Sequence, residues 1–219
     1  MKNIVAINGS PRKNANTATL LRSALDGAAS IGANTEIVNL YELDFKGCVS
    51  CFSCKVKGGK SYGKCAYKDD LAPVLEKIEK ADALVFGSPV YFGNITGEMR
   101  SFFERLLFQY LVYDANYSSL NTNRIPVAFI YTMNVPENIM NEFGYPAALG
   151  VLEYYISRNF GECEPFYVTD TKQFDDYSKY VCEAFDPVHK LKRNEEEFPK
   201  DLQKAFELGK KLVYQVSGQ

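Results

Sequence analysis

Four of the six cysteines fall within nineteen positions, in the stretch GCVSCFSCKVKGGKSYGKC (residues 47–65). Cys48, Cys51 and Cys54 are spaced C-x2-C-x2-C, and Cys65 follows after ten further residues. Thiols at that spacing can turn inward from one tight loop, as a cubane iron-sulfur cluster requires. Four thiolates also suit tetrahedral zinc, whose cysteines more often come in pairs. A loop of redox thiols without metal uses the same residues, so all three readings stay open at this stage. Lys55, Lys57, Lys60 and Lys64 surround the set, and their charge favours thiolate and offsets that of a cluster. Gly58, Gly59 and Gly63 would let the longer interval fold back to bring in Cys65. Cys163 and Cys182 stand apart and are expected to be small hydrophobes or inert thiols. His189, the single histidine, sits in HKLKRNEEE with no catalytic partner in the sequence; it is assigned no role, and its surroundings are expected to be solvated.

Two further loops carry ligand-binding chemistry, and a third lies near them. GSPRKNANTAT (9–19) lacks the lysine-serine ending of a P-loop and the glycine triplet of a dinucleotide fingerprint. It offers hydroxyls and amides at Ser10, Asn14, Asn16, Thr17 and Thr19 ahead of a helix, where free N–H groups and the dipole favour an anion. Only Arg12 and Lys13 add full charge, which suits one terminal phosphate better than a triphosphate with magnesium. GSPVYFGNITG (87–97) sets Val90, Tyr91 and Phe92 just past a strand end, a wall for a flat aromatic ligand or a surface packed under a helix or against a second subunit. YTMNVPEN (131–138) brings Tyr131, Thr132, Met133 and Asn134 beside the same crevice, although Met133 fits a core equally well. A monophosphate pocket next to an aromatic slot describes FMN.

The elements that must position these loops alternate. Strands are expected at 3–8, 35–40, 82–87, 126–133 and, more weakly, 163–168, with helices at 17–32, 70–81, 96–112, about 145–157 and 201–216. Thr96 is the expected cap of the third helix, and Asp69 or Asp70 that of the second. Strands apolar along their whole length call for a parallel sheet covered on both faces. Five of them suit a doubly wound, flavodoxin-like α/β sheet of order 2-1-3-4-5 with ligands at the C-terminal strand ends. No repeat or low-complexity linker interrupts the chain, so one domain over 1–219 is expected. It would carry a Cys-rich loop at about 46–68 and an irregular excursion at about 169–197. The segment FFERLLFQYLVY (102–113) is apolar on more than one face, which either a second subunit or deep burial would explain.

Bulk properties exclude some classes. A net charge of −2 without a basic run argues against nucleic acid as a partner. The apolar start MKNIVAING is too short for a signal core or a membrane span, so a cytoplasmic protein is expected, with reduced thiols.

NGSPRKNANTATLL, GCVSCFSC and GSPVYFGNITGEMRSFFERL, in that order, resemble the NADPH-dependent FMN reductase family of flavodoxin-like proteins, and within it the iron-sulfur flavoprotein branch. The likeness covers roughly the first 135 residues, and FPKDLQKAFELGKKLV near the end is also similar. The resemblance implies Ser10, Arg12, Asn16 and Thr17 around the FMN phosphate. It implies Pro89, Val90, Tyr91, Phe92, Gly93 and Asn94 along the ring, together with Tyr131, Thr132 and Asn134. For the metal it implies Cys48, Cys51, Cys54 and Cys65 as ligands of a 4Fe-4S cluster, although the branch places its fourth cysteine closer than Cys65 lies here. The implied activity is hydride transfer from NAD(P)H to FMN and onward transfer to a flavin, quinone or protein acceptor, in a homodimer or homotetramer. No protein acid or base is required, because flavin N5 carries the chemistry. Rival expectations are a flavodoxin-type electron carrier and a redox sensor working through the cysteine loop.

Overall fold

Runs rich in β-branched and aromatic residues become five parallel strands, β1 (Asn3–Asn8), β2 (Asn34–Asn39), β3 (Ala83–Pro89), β4 (Val127–Thr132) and β5 (Cys163–Val168). This computed structural model describes residues 1–217. The strand order is β2-β1-β3-β4-β5, as the pattern of buried runs predicts. Register brings Asn8 beside Gly87, and Ser88 and Pro89 beside Tyr131 and Thr132, so the ends of β1, β3 and β4 meet at one rim.

The helices are α1 (Asn16–Ala29), α2 (Leu71–Glu79), α3 (Gly97–Tyr110), α4 (Glu137–Glu142), α5 (Tyr145–Asn159), α6 (Pro187–Glu196) and α7 (Phe198–Ser217). Because strand side chains alternate between faces, Ile4, Ala6, Val85 and Ile130 pack with α1 and α7, while Val5, Ile7, Phe86 and Phe129 pack with α2, α3 and α5. The α1–α7 pair is close: a Cβ on Gly27 would lie 1.9 Å from the Phe206 carbonyl oxygen, and one on Gly209 1.8 Å from that of Ala24. On the opposite face Phe86, Phe102, Phe103 and Phe129 interlock, with ring centroids 4.9 Å apart for Phe86–Phe103. Burying each ring contributes about 1.5–3 kcal/mol.

The apolar breadth of α3 is accounted for largely within the chain: Met99, Phe102, Phe103, Leu106 and Tyr110 are all buried in the core. Thr96 caps α3 by accepting from the Met99 N–H. At α2 Asp69 plays that part, accepting from the Leu71 N–H at 3.1 Å, whereas Asp70 makes no side-chain cap. The 169–197 stretch departs from the irregular form expected of it. It holds a single 3-10 turn (Tyr177–Lys179) and α6, which starts on an Asp186 cap followed by Pro187. The D-P capping signal was present in the sequence, but the polar content of α6 hid its period.

Candidate functional site

The first three loops are tied to one another rather than merely adjacent. Gly9 N–H donates to the Gly87 carbonyl at 2.8 Å, and the Thr96 hydroxyl donates to the Gly9 carbonyl at 2.7 Å. The Thr17 and Thr132 hydroxyls meet at 2.7 Å, and Val90 N–H donates to the Thr132 carbonyl at 2.8 Å. Gly9 suits this closeness, since a Cβ there would stand 2.9 Å from Met99 Cβ and 3.3 Å from the Gly87 carbonyl oxygen. Buried Asn8 shapes the first loop, accepting from Ser10 N–H at 3.0 Å while its amide donates to Asn39 at 2.9 Å. The residue before α1 is Ala15, and no side chain caps this helix, so its first-turn N–H groups face the loop without a capping acceptor.

A fourth segment completes the cleft. The Arg12 guanidinium donates to the Gln173 carbonyl and the Asn16 amide to the Lys172 carbonyl, both at 2.8 Å. The Thr171 N–H and hydroxyl both donate to the Met133 carbonyl, at 3.0 and 3.1 Å. This strap is clamped by Lys190 of α6, buried to 1% exposure, whose ammonium donates to the Asp170 carboxylate and the Asn134 carbonyl. His189, left without a partner by the sequence, lies 2.6 Å from the same carboxylate. Burial works to raise the Asp170 pKa, but Lys190 and then His189 outweigh it and hold it below the ordinary carboxylate value.

The resulting cleft is an open groove of about 430 Å³, within the range of small-molecule sites. Of the residues singled out in the sequence, Ser10, Arg12, Asn16, Thr17, Pro89, Val90, Tyr91, Phe92, Thr132 and Asn134 line it. Asn14 and Thr19 line the neighbouring pocket, and three of the residues that the resemblance implies around FMN do not line the cleft. Tyr131 points to the opposite side of β4, fully buried and stacked between Phe129 (4.1 Å) and Tyr167 (5.3 Å). Alternation along the strand sends neighbouring side chains to opposite faces, and Thr132 takes the cleft. Gly93 forms the turn of a tight bridge between Tyr91 and Asn94, which directs Asn94 into a separate groove between α3 and α5. Thr171, Lys172 and Gln173 line the cleft without having been singled out. They lie in a segment with no periodic signal, and only the long-range pairing with Arg12 and Asn16 reveals them.

The four clustered cysteines share one pocket, off the sheet against the C-terminal half of α3, with Phe52, Tyr67, Arg105 and Phe108 also in its lining. Ser50 (φ 53°) and Phe52 (φ 56°) adopt left-handed backbone between successive cysteines and curl the chain. Such residues persist only where their surroundings hold them. Here two cations do so. The Lys55 ammonium sits on the carbonyls of Phe108, Gln109 and Leu111 at the end of α3. Arg105, 2% exposed, binds the Asp69 carboxylate and the carbonyls of Lys46 (3.2 Å) and Tyr67 (2.9 Å). Burial works against its charge, yet Asp69 and then Cys65 keep its pKa above the ordinary value. The Ser53 N–H and hydroxyl hold the exposed Cys51 thiol below its ordinary value, whereas burial pushes Cys54 up. Among the described residues, no three His, Cys, Asp or Glu side chains converge on a single metal ion. No described helix is long and apolar enough to cross a membrane.

The model of the NADPH-dependent FMN reductase family matches residues 2–136, which contain the first two loops, the cysteine segment and most of the third loop. An iron-sulfur flavoprotein of Archaeoglobus fulgidus is 40% identical over 102 residues, covering 47% of this chain and 47% of that protein. One from Methanocaldococcus jannaschii is 36% identical over 102 residues, covering 47% and 50% respectively. The chain thus spans about half the length of the curated relatives it matches. Among solved structures, an NAD(P)H:quinone oxidoreductase from Methanothermobacter marburgensis superposes with a TM-score of 0.70 at 14% identity, over 95% of this chain and 98% of that one. That likeness is one of fold.

Proposed function

The chain belongs to the NADPH-dependent FMN reductase family, and from that premise we propose that its cleft holds FMN for an oxidoreductase. The enzyme would take hydride from NAD(P)H and pass electrons to a flavin, a quinone or a protein acceptor. The observation that carries this reading is the composition of a cleft tied together by its own loops. Hydroxyls of Ser10 and Thr17 and an uncapped helix N-terminus stand at one part, and Val90, Tyr91 and Phe92 at another. Among the described residues no carboxylate lines it, while Arg12 and Lys172 do, which suits an anionic tail. The exposed Phe92 and partly exposed Tyr91 are placed to govern access to a flat ring. FMN, when bound, supplies the ring that accepts hydride and releases electrons. The chain's own part is to bind, orient and shield, and no Asp, Glu, His or Cys among the described residues lines the cleft to act as acid or base. Titration of flavin-free protein with FMN, followed by anaerobic rapid mixing with NADH or NADPH, tests this. Saturable uptake and bleaching of the bound flavin are expected; uptake without bleaching by either nucleotide would leave a carrier instead.

The cysteine pocket supports a second cofactor, a 4Fe-4S cluster on Cys48, Cys51, Cys54 and Cys65. All four cysteines line one pocket, and three of them follow one another at x2 spacing, a donor set that suits an iron-sulfur cluster better than the paired cysteines of zinc. Lys55 and Arg105 offer the positive surroundings that an anionic cluster needs. Iron and sulfide analysis of anaerobically reconstituted protein is expected to give about four of each per chain. Self-association into a homodimer or homotetramer also belongs to this reading, supported by exposed Val151, Tyr154 and Tyr155 on α5 beside the α3–α5 groove. Light scattering on the purified protein checks it, a monomer at micromolar concentration being the contrary result.

A further inference from the structure

Arg105 is spent unevenly. Its Nη1 and Nη2 atoms are engaged by Asp69, Lys46 and Tyr67, but its Nε atom is buried and has no hydrogen-bond partner. A buried charged donor is seldom left unmade, and each such group calls for an explanation. The side chain and Cys65 line the same pocket. Lys55 differs: its ammonium is taken up by three carbonyls at the end of α3.

We infer that Arg105 is a positioning residue of the cysteine pocket, whose Nε–H donates to sulfur at Cys65 and raises the reduction potential of the cluster held there. The inference rests on the iron-sulfur reading of that pocket. Reduction adds negative charge to a cluster, and a fixed charged donor at a ligand sulfur stabilises the reduced form more than the oxidised one. The same guanidinium that ties the loop through Asp69, Lys46 and Tyr67 lines the pocket to which the chain returns at Cys65.

Midpoint potentials of anaerobically reconstituted wild-type, Arg105→Lys and Asp69→Asn proteins, followed by the visible and electron paramagnetic resonance signals during a dithionite titration, test this. Arg105→Lys keeps the charge and loses the Nε–H fork. Its midpoint is expected to fall by about 59 mV, a tenfold lower reduced-to-oxidised ratio at fixed potential. Asp69→Asn loosens the same loop contact but keeps the donor and removes a nearby negative charge, so its midpoint should hold or rise. Loss of iron from Arg105→Lys alone would also support the inference. Equal midpoints in wild type and Arg105→Lys, or the same fall in both variants, would overturn it while leaving the cluster reading intact. Wild-type protein that takes up no iron overturns both.

Discussion

The cleft and the cysteine pocket are built on different principles. The cleft sits at the ends of three strands whose spacing the sheet sets, and its loops are joined by neutral backbone and hydroxyl bonds such as Thr17–Thr132 and Gly9–Gly87. The cysteine pocket lies off the sheet, and its curled loop is held against one helix by two cations, Lys55 and Arg105. A site on a sheet edge inherits its geometry from the core. A site on a loop must be held by its own side chains, so single substitutions should act on it more severely.

The largest effect is therefore expected at Arg105. Arg105→Met leaves Asp69 nearly buried without its cation, and should cost about 3–5 kcal/mol in urea unfolding. A loss below 1 kcal/mol would show that the loop holds itself. Next comes the strap, where the cleft departs from its neutral rule. Lys190→Met strands Asp170 and should cost about 2–3 kcal/mol and weaken FMN binding, read by calorimetry and flavin fluorescence. The same pair sets a pH dependence. Because the folded Asp170 pKa lies below its unfolded value, its contribution is full above about pH 3.9 and is lost as pH falls through the lower folded value. Asp170→Asn should flatten the acid limb of the stability profile.

Thr17→Val removes one hydroxyl link and one hydroxyl at the proposed phosphate end, and FMN affinity should drop about 5- to 30-fold, or 1–2 kcal/mol. The smallest effect separates the two faces of β4. Tyr131→Phe keeps the stack on Phe129 and Tyr167, so FMN affinity should change by less than about twofold, well within the span of a lost hydrogen bond. A drop as large as that of Thr17→Val would mean that Tyr131 reaches the cleft after all. Within the cysteine pocket of the metal-free protein, Cys51 should alkylate about tenfold faster than Cys54 near pH 8. Peptide mass mapping reads the order.

Local pattern carried much of this molecule. Continuous apolar runs in β1, β3 and β4 call for a parallel sheet, and such a sheet with five strands brings the turns at Gly9, Pro89 and Thr132 to one rim. Those are short-range properties, legible because each strand and its turn are contiguous in the chain. The side on which Tyr131 lies was not legible, since both faces of a buried strand are apolar and its alternation leaves no mark. Nor was the direction of Asn94, which the Tyr91–Asn94 bridge alone sets.

Composition and spacing by themselves determined the sheet order, the three loops of the cleft and the clustering of four thiols. Tertiary structure alone decided that residues 171–173 line the cleft, that Lys190 clamps them through Asp170, and that Arg105 and Cys65 share one pocket. The physical reason is distance along the chain. Asn16 and Lys172 are 156 residues apart, and the contact between them is stabilised by a fold that neither local sequence encodes.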